Sequence, residues 1–284
     1  MKVISAISYP NEQILDCDFN PAGQAALLLN TSSNEKRAIY GQAGHSSKDA
    51  WFQYTQRIKW ADSESVYLWP AAPRQDMVKS IVQLSQSSMR DVNFGRPMKL
   101  FTGAGIAVAS YSEDQILYVR GAPLEKQSDV IAAFRVSSGQ KVARFVDIFV
   151  SQYPTEDFIE IENGVIDEEG RRFYFTAYDS SALWCFDVLN KDVYRCELHV
   201  SRSDVIAISC DDKHITVLKY GERNLEASRY IREDASLRHA ENDSIIVEGA
   251  ALEMFHSEPQ SRMRGYAHNR ISVVDKNRAL LLEL

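Results

Sequence analysis

The chain has 284 residues, of which 45% are hydrophobic and 25% charged, an ordinary globular balance. Its net charge of −7 argues against nonspecific nucleic-acid binding, which requires a basic surface. No stretch approaches the roughly 18 consecutive apolar residues of a membrane-spanning helix, so we predict no membrane association.

The first ten residues lack a long apolar core and a small-residue cleavage site. We therefore interpret them as a strand of the fold and not as a signal peptide. Four cysteines are too few for a disulfide framework. Without an export signal, a cytoplasmic protein with reduced thiols is the favoured interpretation.

Pairs of apolar-alternating runs, each pair split by a short polar turn, recur along the chain and predict β-hairpins. The turns are centred near residues 22, 63, 113, 169 and 212, at intervals of about 41 to 56 residues, which fit repeats of four short strands. The paired runs are 14–19 with 25–29, 57–60 with 66–69, 106–111 with 116–119, 158–166 with 173–175, and 205–208 with 215–218.

A second hairpin is predicted in two of the repeats, at 131–145 around a Gly-containing turn and at 186–196. If Asn190 and Lys191 centre the latter, Cys185 lies directly opposite Cys196. We expect buried free thiols there. Further strands are predicted near the two ends of the sequence, at 2–8, 244–247, 252–255, 271–274 and 279–282.

Two motifs resemble those of WD-repeat-like β-propellers, in which a strand meets a Pro-x-Gly turn and a later strand ends in an aromatic residue and Asp. Phe19-Asn20-Pro21-Ala22-Gly23 and Trp184-Cys185-Phe186-Asp187 carry the resemblance, which covers most of residues 13–220. The resemblance implies blades made of small antiparallel sheets around a central channel.

The repeats and the resemblance together predict an all-β chain that forms a single β-propeller domain over residues 1–284. Each blade is expected to be a four-stranded antiparallel sheet, with six blades favoured and seven as the alternative. The N-terminal and C-terminal strands are expected to close one blade, which removes an exposed sheet edge. Little helix is expected.

Catalytic motifs are not found: the sequence has no Gly-x-Ser-x-Gly, His-Glu-x-x-His or Cys-x-x-Cys. We predict no cofactor and no metal, and we interpret Asp211-Asp212 as turn residues. The alternative is a lactonase-like, metal-dependent propeller hydrolase with its site in the central channel. Its candidate ligands are Asp16, Asp18, Glu160 and Asn163.

Strands alternate in direction, so turns between first and second strands lie at one end of each sheet, whereas loops between second and third strands and between successive blades lie at the other. The second set contains the longer segments 70–76, 121–129, 149–157 and 232–236, and 256–268 is another long polar segment. Because binding residues concentrate in loops, this long-loop face is the predicted binding face. The candidate binding residues are Tyr153, Glu156, Asp157, Asp179, Arg262 and Arg264.

The favoured function is a non-enzymatic propeller that binds another protein through its long-loop face. The acidic balance favours a basic partner, because complementary fields steer association. One version of this hypothesis is a cytoplasmic immunity or inhibitor protein that neutralises a basic toxin or enzyme.

Overall fold

The structure is a computed structural model of the chain. It describes residues 1–41, 43–46, 55, 57–69, 82–86, 88–91, 99–100, 107–109, 116–122, 130–135, 140–155, 161–177, 181–198, 205–220, 225–234, 236–245, 253–254 and 262–284.

Over these ranges the strands form six antiparallel sheets, four of which contain four consecutive strands side by side in chain order. These four sheets are β2 (Gln13–Phe19), β3 (Ala25–Asn30), β4 (Lys36–Tyr40) and β5 (Ala43–Ser46); β6 (Arg57–Trp60), β7 (Ser65–Trp69), β8 (Val82–Ser85) and β9 (Met89–Asp91); β15 (Ile161–Ile166), β16 (Arg172–Ala177), β17 (Ala182–Asp187) and β18 (Asp192–Glu197); and β19 (Val205–Cys210), β20 (His214–Tyr220), β21 (Leu225–Arg232) and β22 (Leu237–Ile245).

The two other sheets vary this pattern. One has the order β10-β12-β13-β14, with β11 also paired to β12. The other has the order β1-β25-β24-β23, so strands from both ends of the sequence share it. Their bounds are β10 (Lys99–Leu100), β11 (Ala107–Ala109), β12 (Ile116–Ala122), β13 (Val130–Arg135) and β14 (Gln140–Arg144), and β1 (Lys2–Ser8), β23 (Arg262–Tyr266), β24 (Arg270–Val274) and β25 (Arg278–Glu283).

The chain divides into two compact units. One contains residues 1–6, 145–275 and 280–284, and within it the first strands β15, β19 and β23 lie next to one another. The other contains residues 7–144 and 276–279, and within it β2 lies next to β6. That residues 1–284 form a single domain stays a prediction.

Each apolar core lies between the faces of successive sheets. Every residue of β16 and β17 is buried, so the β15–β18 sheet is covered on both faces. One face packs on the β19–β22 sheet through Tyr174, Leu183 and Cys185, which meet Ile208 and other apolar side chains of that sheet. Face-to-face packing of this kind buries the alternating side chains of both sheets.

An amide or carboxylate side chain caps the first turn of three repeats, the β2–β3, β6–β7 and β19–β20 turns. Asn20 Oδ1 accepts a hydrogen bond from Gln24 N at 2.9 Å, and Asp62 Oδ1 accepts one from Glu64 N at 2.8 Å. Asp211 Oδ1 accepts hydrogen bonds from the backbone N–H groups of residues 213 and 214, both at 2.7 Å. The interpretation of Asp211 as a turn residue is therefore confirmed. The predicted turn at 112–114 lies outside the described residues.

The register of the β17–β18 hairpin differs from the sequence prediction. Asp187 pairs with Asp192, so Cys185 lies opposite Tyr194 and not opposite Cys196. The loop has four residues, and it closes through Lys191 in the left-handed region with a φ of 52°. The hairpin centre lies one residue earlier in the chain than the predicted two-residue turn implies. The residue opposite Cys185 is therefore two positions earlier than predicted.

The four cysteines are free thiols, and the predicted burial of Cys185 and Cys196 is correct for Cys185 but wrong for Cys196. Cys17, Cys185 and Cys210 are buried, whereas Cys196 is partly exposed. Burial raises the pKa of the Cys185 and Cys210 thiols, which suppresses their thiolate forms.

We therefore expect a disulfide reagent to modify Cys196 alone in the folded chain and all four thiols in urea. The measurement is a colorimetric thiol titration with and without denaturant. Rapid reaction of several thiols without urea would contradict the burial of Cys17, Cys185 and Cys210. Loss of the rapid phase in a Cys196→Ser variant would identify Cys196 as the reacting group.

Two segments near predicted strands are helical. Helix α1 (Phe145–Gln152) occupies the first part of the predicted loop 149–157 and the end of the predicted strand 141–145. Glu253 and Met254 are helical, so the predicted strand 252–255 is wrong at these positions. Met254 buries its side chain among residues of β20, β21, β24 and β25, which explains its apolar character without a strand.

Candidate protein-binding surface

Helix α1 begins directly after β14, and its apolar residues recur at helical spacing. Phe145 and Phe149 are buried, and Tyr153 follows one further turn along, with its backbone N–H donating to Phe149 O at 2.7 Å. Residues four apart lie on the same side of a helix, so these three rings form one aromatic ridge.

The aromatic ridge packs on the face of the β15–β18 sheet opposite the one that packs on the β19–β22 sheet. The Phe145 ring lies 5.3 Å from that of Phe175 on β16, and the Phe149 ring lies 5.6 Å from that of Trp184 on β17. Both contacts have the edge-to-face geometry that aromatic quadrupoles favour. Helix α1 therefore crosses the sheet from β16 toward the outer strand β18.

Tyr153 lies where α1 reaches β18. Its ring is half-buried, stacks on Phe149 at 5.5 Å and meets the edge of Trp184 at 5.4 Å. The exposed Arg195 of β18 places its Cζ 5.1 Å from the centroids of both the Tyr153 and Trp184 rings. The ring faces attract the guanidinium, so these side chains support one another's positions.

The end of α1 is also fixed by polar contacts. Gln152 Oε1 accepts a hydrogen bond from Val193 N at 2.9 Å, and Gln152 Nε2 donates to Asp192 Oδ1. The Tyr153 hydroxyl donates to Val193 O at 3.3 Å. We call Val150, Gln152, Tyr153, Asp192 and Arg195 the α1–β18 surface; Val150 is 55% exposed, unusual for an apolar side chain.

The other candidate binding residues separate into two groups. Glu156, Asp157 and Asp179 lie outside the described residues. Arg262 and Arg264 are in strand β23, with Arg264 opposite Ser272, so part of the long polar segment 256–268 is a strand and not a loop. Strand β23 is the first strand of its repeat, whereas Tyr153 borders β18, the fourth strand of its repeat, so these residues lie at different edges of their sheets.

The segment 232–236 was assigned to the long-loop face, and this assignment is also wrong. Residues 233–236 connect β21 to β22, the third and fourth strands of their sheet, so they share an end with the first turns. Arg172 confirms this position, because its NH2 donates to Asp234 O at 2.6 Å from the start of β16.

A buried ion network lies at the end of the sheets that carries the first turns, and the sequence did not predict it. Arg172 Nε pairs with Asp187 Oδ2 at 3.1 Å. Arg232 NH2 pairs with Asp167 Oδ2 at 3.0 Å, and Arg232 Cζ lies 5.3 Å from the Tyr174 ring. Burial raises the pKa of the Asp167 carboxyl, against the opposing effects of Arg172 N–H and the Arg232 guanidinium. The network joins the β15–β18 sheet to the β19–β22 sheet. The guanidinium groups of Arg172 and Arg232 therefore point into the protein and away from solvent.

The candidate metal ligands of the hydrolase alternative contact neighbouring strands. Asp16 Oδ2 accepts from Ile58 N at 3.0 Å, and Asp18 Oδ2 accepts from Trp60 N at 2.9 Å. Asn163 Nδ2 donates to Val205 O at 3.3 Å, whereas Glu160 lies outside the described residues. Within the described ranges, no three His, Cys, Asp or Glu side chains are grouped as a metal site requires. In the same ranges, no helix has the length and apolar character needed to cross a membrane.

Comparison with known proteins supports the fold. No protein-family model matches the sequence, and no curated protein matches it. A putative oxidoreductase (glucose dehydrogenase) from Thermus thermophilus is similar in structure, with a TM-score of 0.55 and 11% identity over 98% of this chain and 99% of that chain. KlAtg21, in its complex with the coiled-coil of AgAtg16, has a TM-score of 0.51 and 12% identity over 92% of this chain and 78% of that chain.

The chain thus has the β-propeller fold that the sequence resemblance implied. At such low identities the likeness shows the fold alone. The number of blades and the closure of a ring stay predictions.

Proposed function

We propose that this chain is a non-enzymatic protein-binding β-propeller and that the α1–β18 surface belongs to its binding site. The observation that carries the proposal is the half-exposed Tyr153 ring, held between Phe149, Trp184 and the exposed Arg195. Tyrosine, tryptophan and arginine are enriched among interface hot spots. Side chains already fixed before binding lose little entropy when a partner arrives.

The proposal extends to the candidate residues Glu156, Asp157, Asp179, Arg262 and Arg264. Glu156 and Asp157 follow Tyr153 closely in the chain and would add carboxylates beside it. Whether these residues join one site with Tyr153 is tested by the same binding measurement, applied to alanine variants at each position.

The proposed partner is a basic protein, and the chain would act in the cytoplasm as an immunity or inhibitor protein that neutralises a basic toxin or enzyme. The net charge of −7 supports this version. Exposed turn carboxylates support it too, because Glu169 and Asp212 are exposed, whereas Arg172 and Arg232 pair internally. Such a field speeds association with a cationic protein.

Quantitative affinity capture from the source cells tests the proposal. The wild-type chain is expected to enrich a basic protein, and Arg195→Ala is expected to lower the affinity at least about tenfold, the usual loss at a hot spot. The matched control is Arg238→Ala, which removes an exposed arginine from β22, the outer strand of the next sheet.

One result would overturn the binding proposal, and another would overturn only its basic-partner version. The first is the absence of any protein that wild type and Arg238→Ala both enrich and that Arg195→Ala fails to enrich. The other concerns the basic-partner version alone: capture that does not weaken with added salt would contradict it, since screening must reduce attraction between opposite charges.

A further inference from the structure

Strand β1 presents an unpaired edge. It is the outer strand of its sheet and pairs with β25 on one side, and on its other side no strand of the described ranges pairs with it. All seven of its residues are at least partly exposed, and Val3 is 50% exposed. Its end is fixed, because Tyr9 N donates to Asn277 O at 2.8 Å.

The β1 edge lacks the charges that usually protect edge strands. Its only charged residue is Lys2, so residues 3–8 form an uncharged run. The outer strand β18 carries Asp192, Arg195 and Glu197, and β22 and β9 also carry charges of both signs. An exposed, uncharged and anchored strand is a template for another strand.

We propose that the occupant of this edge is the β1 strand of a second copy of the chain, paired antiparallel about a two-fold axis at Ser5. This register brings no like charges together and places apolar residues opposite apolar ones, the arrangement that stabilises strand pairs. The opposed residues are Lys2 with Ser8, Val3 with Ile7, Ile4 with Ala6, and Ser5 with Ser5 of the second copy.

The contact is small, so the dimer is weak. A seven-residue ladder covers less surface than the roughly 800 Å² per partner of a stable complex. The net charge of −7 on each copy opposes association, and salt screens that repulsion. Dimerisation therefore depends on concentration and increases with salt, the opposite of the salt dependence proposed for the basic partner.

Sedimentation velocity of the full chain over a range of concentrations tests the pairing. Wild type is expected to shift from monomer to dimer, more strongly at high salt. Ser5→Lys and Ser5→Glu should each be monomeric, because the two-fold axis places the new charges directly opposite each other. An equimolar mixture of the two variants should dimerise again, because opposite charges then face each other.

The control is Ser63→Lys, a substitution in the exposed turn between β6 and β7, which should dimerise like wild type. Circular dichroism establishes that each variant is folded. A wild type that stays monomeric at every concentration, or dimers of Ser5→Lys equal to those of wild type, would overturn the proposal. So would a mixture of Ser5→Lys and Ser5→Glu that stays monomeric although both are folded.

Discussion

Replacing Gly265 with alanine is expected to destabilise the chain by about 3 kcal/mol, the upper part of the range for overpacking a rigid site. A Cβ at this position would lie 1.5 Å from Ile208 O and 2.9 Å from Ser209 N. Both neighbours are backbone atoms of β19, so no side-chain rotation can relieve the clash. Strand β23 would have to move away from β19. Urea unfolding followed by circular dichroism measures the loss.

Gly41→Ala is the matched control, because it separates crowding from backbone conformation. No atom lies within 4 Å of a Cβ built at Gly41, but its φ is +58°. The expected cost is therefore only the left-handed penalty of about 1 kcal/mol. If Gly265→Ala cost no more than Gly41→Ala, the close approach of β23 to β19 would be wrong.

Removing the Asp18 carboxylate is expected to cost about 3 kcal/mol, as is usual when one partner of a buried ion pair is lost. Asp18 is fully buried; one oxygen accepts from Trp60 N at 2.9 Å, and the other lies 3.2 Å from Lys59 Nζ. Asp18→Ala leaves a buried N–H and a largely buried ammonium without this acceptor, and it weakens the junction of β2 with β6. Urea unfolding again reports the change.

Two further variants define the source of that loss. Asp18→Asn keeps an oxygen for Trp60 N–H and should lose less than Asp18→Ala. Asp212→Ala removes an exposed carboxylate from a turn and should change stability by less than about 0.5 kcal/mol. Equal stability of Asp18→Ala and Asp212→Ala would contradict a structural role for the buried carboxylate.

Local chemistry explains which parts of the fold could be predicted from sequence. Asn20 and Asp211 cap their turns with their own side chains, so the turn positions are encoded within a few residues. The β17–β18 register was harder, because a four-residue loop with Lys191 at positive φ and a two-residue turn differ little in sequence. Pattern alone does not distinguish these loops.

The candidate site was predicted only in part. Tyr153 was selected as a loop residue, but the spacing of Phe145, Phe149 and Tyr153 is that of a helix and could have indicated α1. Arg195 was missed because its position over Tyr153 depends on the packing of α1 on β18. The same limit applies to the contact of Arg172 with the 233–236 turn, which joins residues about sixty positions apart.

The most direct test of a protein-binding function is the dissociation constant of the captured partner, measured by isothermal titration with wild type, Arg195→Ala and Arg238→Ala. We predict that Arg195→Ala weakens binding at least about tenfold, with Arg238→Ala close to wild type. Equal affinities for all three folded proteins would contradict the assignment of binding to the α1–β18 surface.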